Sequence, residues 1–134
     1  NISLSVTQYD SKEACISDLR IRRLSFLEPE LTKARTIEEL ARHINEYMRS
    51  QPPRILAAGD LYHRSGIHWH MDLREQLRMH LGWGKRRFRN FSLIAENRAL
   101  WRNKKTAPRS FLSLSELSRS KPDDLQYLFD HGLV

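Results

Sequence analysis

The sequence predicts an α+β domain, in which a small mixed or antiparallel sheet is covered by three to four helices. Two patterns favour this class: short runs in which apolar and polar residues alternate, and longer stretches in which apolar residues recur every three or four positions. With 134 residues, of which 40% are hydrophobic, the chain is expected to form a single compact domain over residues 1–134.

Strands are predicted where apolar and polar residues alternate or where a short apolar run stands alone. Residues 2–9 alternate cleanly, and residues 19–27 fit a strand slightly better than a helix. A short helix carrying Cys15 is expected between them. The apolar run from Ile55 to Ala58 predicts a buried strand, and Gly59-Asp60 predicts the turn after it.

The helix over residues 36–49 has the strongest local signals. Thr36 and Glu39 form a capping-box pattern, which satisfies free backbone N–H groups at a helix start. Apolar residues then recur on one face, and Pro52-Pro53 prevents continuation. The sequence therefore predicts a helix that packs on the core and carries no chemistry.

Further helices are expected over residues 72–81, ended by Gly82, and over residues 113–118. A last helix begins at Pro122 and is capped by Gly132. Two consecutive short helices invite comparison with a helix-turn-helix, but the last one has three acids and no Lys or Arg. It would repel phosphate as a recognition helix, so sequence-specific readout is not expected.

Residues 85–103 fit two structures. Alternation from Arg87 to Ala95, with a turn near Asn97, favours a hairpin. Leu93 and Leu100 are seven positions apart, as a helix would place them on one face. The hairpin is slightly preferred.

Positive charge is concentrated in this part of the chain. The whole sequence has 23 Lys and Arg against 16 Asp and Glu, a net charge of +7. Residues 85–109 contain nine of the cations and one acid, Glu96, so this segment carries +8 and the rest of the chain −1. Such an excess attracts polyanions, and nucleic acid is the commonest polyanion inside cells.

We therefore expect nucleic-acid binding, with DNA favoured over RNA, through sequence-independent contacts to phosphates. Trp83 lies between two glycines and is expected to be exposed for stacking on a base, whereas Phe88, Phe91 and Trp101 are expected in the core. The predicted contact residues are Lys85, Arg86, Arg87, Arg89, Arg98, Arg102, Lys104, Lys105 and Arg109, extended by His80 and Trp83.

Histidines offer an enzymatic alternative. His63, His68, His70 and His80 lie close together, and on a strand His68 and His70 would present both imidazoles on one face, which is half of a zinc site. A small nuclease, metal-free or zinc-dependent, could use such a cluster. Clustered histidines are more often structural, so no catalytic residue, metal ligand or cofactor is assigned.

The partners and compartment follow from the termini and the cysteine. A chain that begins at Asn1 rather than Met is expected to be an accessory or targeting piece of a larger recombination, replication or DNA-transfer protein, whose other domains or subunits are then partners. The lone Cys15 predicts a reducing, cytoplasmic compartment. No stretch approaches the ~20 apolar residues of a membrane span. A second alternative is a protein-interaction domain, or a basic amphipathic helix in residues 90–102 that lies on an anionic membrane.

Overall fold

The computed structural model describes residues 37–134 of the chain. Seven α-helices and one 3-10 turn follow one another within this range, with no strand between them. The helices are α1 (Ile37–Arg49), α2 (Ile55–Ser65), α3 (Met71–Leu81), α4 (Lys85–Glu96), α5 (Arg98–Arg102), α6 (Phe111–Leu117) and α7 (Pro122–Asp130), and the 3-10 turn is Ile67–Trp69.

The α+β prediction is wrong for the described residues, because the elements expected to build a sheet there are helical. The run Ile55 to Ala58, predicted as a strand, begins α2, and the turn predicted at Gly59-Asp60 lies inside the same helix. The physical reason is visible over a longer window. Ile55, Ala58 and Leu61 are all buried and recur at three-residue steps, which places them near one face of a helix.

The preferred hairpin is also wrong, since residues 85–103 form α4 and α5, separated at Asn97. Apolar and polar residues alternate only loosely along this stretch. The buried residues Phe88, Phe91 and Ala95 are three and four positions apart, a spacing that a helix places on one face and a strand does not.

Four helix predictions are confirmed. The helix expected over residues 36–49 is α1, and the one expected over 72–81 is α3. Gly82 ends α3 in the left-handed conformation, with φ of 76°, which costs glycine little because it has no Cβ. The short helix expected over residues 113–118 is α6, and Pro122 is the first residue of α7.

Two apolar clusters form the core and meet at shared residues. The first cluster contains residues of the four helices α1, α2, α3 and α4, among them the fully buried Tyr62 and Phe91. The second gathers α5, α6 and α7 around Leu100. Met48 and Phe111 pack against both clusters, so the helices after α4 are joined to the rest through continuous apolar contact.

The contact between α2 and α4 is unusually close at Gly59. A Cβ on this residue would lie 3.3 Å from both Cα and Cβ of Ala95 on α4. Glycine is unfavourable inside a helix by roughly 1 kcal/mol relative to alanine, so its presence here is explained by the approach of the two helices.

Several predictions lie outside the described residues: the strand over 2–9, the helix carrying Cys15, the strand over 19–27 and the capping role of Thr36. None of the helices within residues 37–134 combines the length and the apolar character that crossing a bilayer requires.

Candidate nucleic-acid interface

Four of the cations of residues 85–109 lie on α4 and are divided between two of its flanks. Lys85, Arg86 and Arg89 are exposed together on the side opposite the buried Phe91. The first turn of α4 contains no acid that could pair with these cations. The helix dipole also disfavours cations at this end, by about 0.3–1 kcal/mol each. These three side chains therefore gain nothing from their own helix and remain available to an external anion.

Arg87 lies on another flank, against aromatic rings. Its guanidinium carbon is 4.6 Å from the centroid of the Trp83 ring and 6.0 Å from that of Phe111. Trp83 is only 7% exposed and packs edge-on against Phe91, with centroids 5.1 Å apart. The expectation that Trp83 is exposed for base stacking is therefore wrong. The indole belongs to the first core cluster, where burial of its large apolar surface stabilises the fold more than exposure would.

Arg98 is held by a carboxylate of the protein itself. Its Nη2 lies 2.6 Å from Oδ1 of the buried Asp60, and its Nη1 donates to the carbonyl oxygen of Ala95 at 3.2 Å. The other carboxylate oxygen of Asp60 lies 2.9 Å from Nε of Arg64. Arg98, predicted to contact phosphate, is thus placed in an internal ion pair that ties α5 to α2.

A groove of about 710 Å³ lies between the loop after α1, one face of α2 and the loop that joins α5 to α6. We call it the basic groove. Four of the described residues that line it are cations, and one, Asp60, is an acid. The four cations are Arg54, Arg64, Lys104 and Arg109.

Two of these groove residues, Arg54 and Arg64, were not predicted from the sequence. They lie far along the chain from the basic segment, on either side of the apolar run that was predicted as a strand. Each is an isolated arginine, so no local pattern distinguishes it from a solvated surface residue. The packing of α2 beside α5 is what brings them next to Lys104 and Arg109.

A second cavity, of about 610 Å³, continues from the basic groove. The two share Pro53, Ile55 and Arg109, and the second adds Arg87 and Phe111. Arg109 therefore borders both cavities. The arrangement extends the line of cations from α2 past the α5–α6 loop to the flank of α4 that carries Arg87.

Trp101 was expected in the core, and this prediction is wrong: the side chain is half-buried and lines the basic groove. Nζ of the exposed Lys104 lies 3.8 Å from the centroid of its ring, and the Arg98 guanidinium carbon lies 5.8 Å from it. Phe88 and Phe91 are buried as expected. The tryptophan that the groove offers to a ligand is thus Trp101 and not Trp83.

The remaining predicted contact residues lie outside the two cavities. Arg102, at the end of α5, and Lys105, in the loop after it, are both exposed. His80 is exposed in the last turn of α3. Arg102 and Lys105 follow the groove residues Trp101 and Lys104 in sequence, whereas His80 lies on a helix that lines neither cavity.

The four histidines have separate environments. The rings of His63 and His68 stack with centroids 4.8 Å apart and an interplanar angle of 12°. Burial lowers the pKa of each to about 4, assisted at His63 by the charge of Arg98 and at His68 by His63 itself. Both imidazoles are therefore neutral at physiological pH.

His70 does not lie on a strand beside His68, so that prediction is wrong. It follows the 3-10 turn, is 1% exposed, and its Nδ1 accepts a hydrogen bond of 3.2 Å from the backbone N–H of Leu73. The side chain thus caps the start of α3. Among residues 37–134, no three or more His, Cys, Asp or Glu side chains come together as metal ligands would.

The region proposed as a membrane-surface helix is indeed helical, but its apolar side is occupied. Phe88, Phe91 and Ala95 face the protein core and are at most 6% exposed. A helix that lies on a membrane needs its apolar face free for the lipid. Residues 90–102 therefore offer no such face.

Comparison of the chain with models of protein families, with curated proteins and with solved structures finds no match.

Proposed function

We propose that this chain binds nucleic acid through sequence-independent contacts between its basic groove and backbone phosphates. One observation carries the proposal: among the described residues that line the groove, the only carboxylate is Asp60, and it is already bonded to Arg64 and Arg98. Asp60 thus neutralises Arg64, but among the described residues no acid that lines the groove pairs with Arg54, Lys104 or Arg109, so the groove keeps a net positive charge. Phosphates that enter would release condensed counterions, which drives binding.

The exposed cations of α4 support the same reading. Lys85 and Arg86 occupy the positive end of the helix dipole, where a bound phosphate would relieve their mutual repulsion. Arg87 and Arg109 border one cavity, so the cationic surface extends from the groove toward α4. A backbone that leaves the groove at Arg109 would meet further positive charge.

The test is the salt dependence of binding to a labelled oligonucleotide, followed by fluorescence anisotropy. Contact with about three phosphates predicts a slope of roughly −2 to −3 in a plot of log K against log salt concentration. The double variant Arg54→Glu/Arg109→Glu should lose at least about 10-fold in affinity and flatten the slope by roughly 2.

The matched control is Arg119→Glu/Lys121→Glu. It changes the net charge equally at two exposed residues, in the turn before α7, that line neither cavity. The control should retain affinity within about threefold, since only long-range screened charge has changed. Equal losses in both double variants would mean that net charge alone attracts the ligand, and the groove would not be the interface.

A third variant, Lys85→Glu/Arg86→Glu, measures the contribution of α4. We expect it to weaken binding less than the groove variant does, because these residues extend the surface without lining the cavity. A loss confined to this variant would place the interface on α4 and overturn the proposal for the groove.

A further inference from the structure

We propose that the basic groove accepts unpaired nucleotides, so that the chain prefers single-stranded nucleic acid to duplex; the inference rests on the nucleic-acid binding proposed above. A surface that contacts phosphates alone needs only cations. This groove is also lined by apolar side chains that are exposed or half-buried, namely Pro52, Pro53, Trp101 and Pro108. Apolar surface of this kind suits the face of a base.

The size of the groove agrees with this ligand. Its volume of about 710 Å³ lies within the usual range of small-molecule sites, roughly 300–1,000 Å³. In a duplex the faces of the bases are covered by stacking, so the backbone would touch only the rim of such a recess. A base fills it only when unpaired or turned out of the helix.

Trp101 provides the surface on which a base would stack, and the side chain of Lys104 lies over this ring. The ammonium group lies 3.8 Å from the ring centroid, in a cation–π contact. Lys104 is exposed and has a flexible stem, so an entering base can displace it from the ring. The displaced ammonium remains at the edge of the groove, within reach of the phosphate that accompanies the base.

The described helices offer little for reading a duplex instead. The exposed cations of α4 all lie in its first two turns, and the helix ends at the exposed Glu96, which would repel phosphate; these cations are Lys85, Arg86, Arg87 and Arg89. The last helix, α7, has acids in its first turn and no Lys or Arg. Binding of a duplex through α4 is the alternative outcome of the test.

The first experiment uses the unaltered chain and three ligands at one salt concentration. These are oligo(dT), an oligonucleotide of equal length with abasic sites in place of the bases, and a duplex. We expect oligo(dT) to bind about 10-fold more tightly than the abasic strand, because one stacked base contributes on this scale, and more tightly than the duplex. This comparison needs no substitution, so it does not depend on how a variant folds.

The second experiment locates the base. Trp101→Ala should lower the affinity for oligo(dT) about 10-fold and leave the affinity for the abasic strand unchanged, and Trp101→Phe should restore most of the loss. The control is Trp69→Ala, which removes a 46% exposed indole that does not line the groove. Thermal denaturation of each variant checks that it is folded.

The outcomes separate the two proposals. Equal affinity for oligo(dT), the abasic strand and the duplex, with a steep salt dependence, would overturn the inference about unpaired bases and leave phosphate binding in place. Tighter binding of the duplex would overturn it in favour of α4. No measurable binding of any of the three ligands at low salt would remove both proposals.

Discussion

Asp60 is the one buried carboxylate among the described residues. The carboxylate is 6% exposed, and it accepts from Arg98 at 2.6 Å and pairs with Arg64 at 2.9 Å. A buried charge is costly unless it is both paired and hydrogen-bonded, and here each oxygen has its own guanidinium. Asp60 thereby holds α2 and α5 together beneath the groove.

We expect Asp60→Asn to lower the free energy of unfolding by about 2 kcal/mol, since it removes the negative charge between two guanidinium groups that are themselves partly solvated. Urea denaturation measures the change. Glu116→Gln, at an exposed position on α6, removes one negative charge without a comparable pair and should change stability by less than about 0.5 kcal/mol. Equal effects of the two substitutions would show that the Asp60 pairs do not stabilise the fold.

At the scale of elements, the approach of α2 to α4 determines where the groove can form. Gly59 allows the backbone of α2 to lie against Ala95, and the second and third turns of α2 then carry Asp60 and Arg64 toward α5. A larger residue at position 59 would have to displace backbone atoms of α4, because the nearest atom is a Cα and not the end of a flexible side chain.

Gly59→Leu should therefore destabilise the protein by roughly 1–3 kcal/mol, as overpacking a close helix contact usually does. The paired control is Gly84→Leu, because a Cβ at Gly84 meets no atom within 4 Å and its φ is −71°. Thermal denaturation compares the two variants. A smaller loss for Gly59→Leu than for Gly84→Leu would contradict the packing argument.

At the scale of the whole molecule, the basic groove lies beside the junction of the two core clusters. Ile55 and Leu114, from the second cluster, form its floor, and Met48, which packs against both clusters, lines the adjoining cavity. The site therefore exists only when α1, α2 and the α5–α6 loop are all in place. Its cations come from parts of the chain that are distant in sequence.

The free energy of unfolding should decrease as the pH is lowered, because of His63 and His68. Their folded pKa is about 4, against 6.5 for an unperturbed histidine, so the unfolded chain takes up protons first as the pH drops. The contribution of this pKa difference to the free energy of unfolding is fully present above pH ~6.5 and is lost progressively down to pH ~4.

For the pair we expect this loss to be on the order of 2–4 kcal/mol, because both rings retain some contact with solvent. Urea midpoints at several pH values measure it. The double variant His63→Gln/His68→Gln should flatten the decline between pH ~6.5 and ~4, whereas His80→Gln/His131→Gln, at two exposed positions, should leave it steep. Parallel curves for the two double variants would refute the assignment to the stacked pair.

Local signals predicted α1, α3, α6 and α7 well. Pro122, Gly82 and the apolar stripe of α1 act within a few residues, so their effect does not depend on what packs nearby. The prediction failed for α2 because its apolar residues read as a short buried run that stopped at Gly59. Glycine is unfavourable inside a helix, and its presence at this position is explained by the close approach of α4, which no local pattern reveals.

By itself the sequence determined which helices could begin and end locally and that the excess positive charge lies in residues 85–109. Only the tertiary structure decided that Arg98 is used internally, that Trp83 is buried, and that Arg54 and Arg64 join Lys104 and Arg109 around one cavity. The reason is physical: net charge and helix ends are properties of neighbouring residues, whereas burial and ion pairing depend on which surfaces meet after the chain has folded.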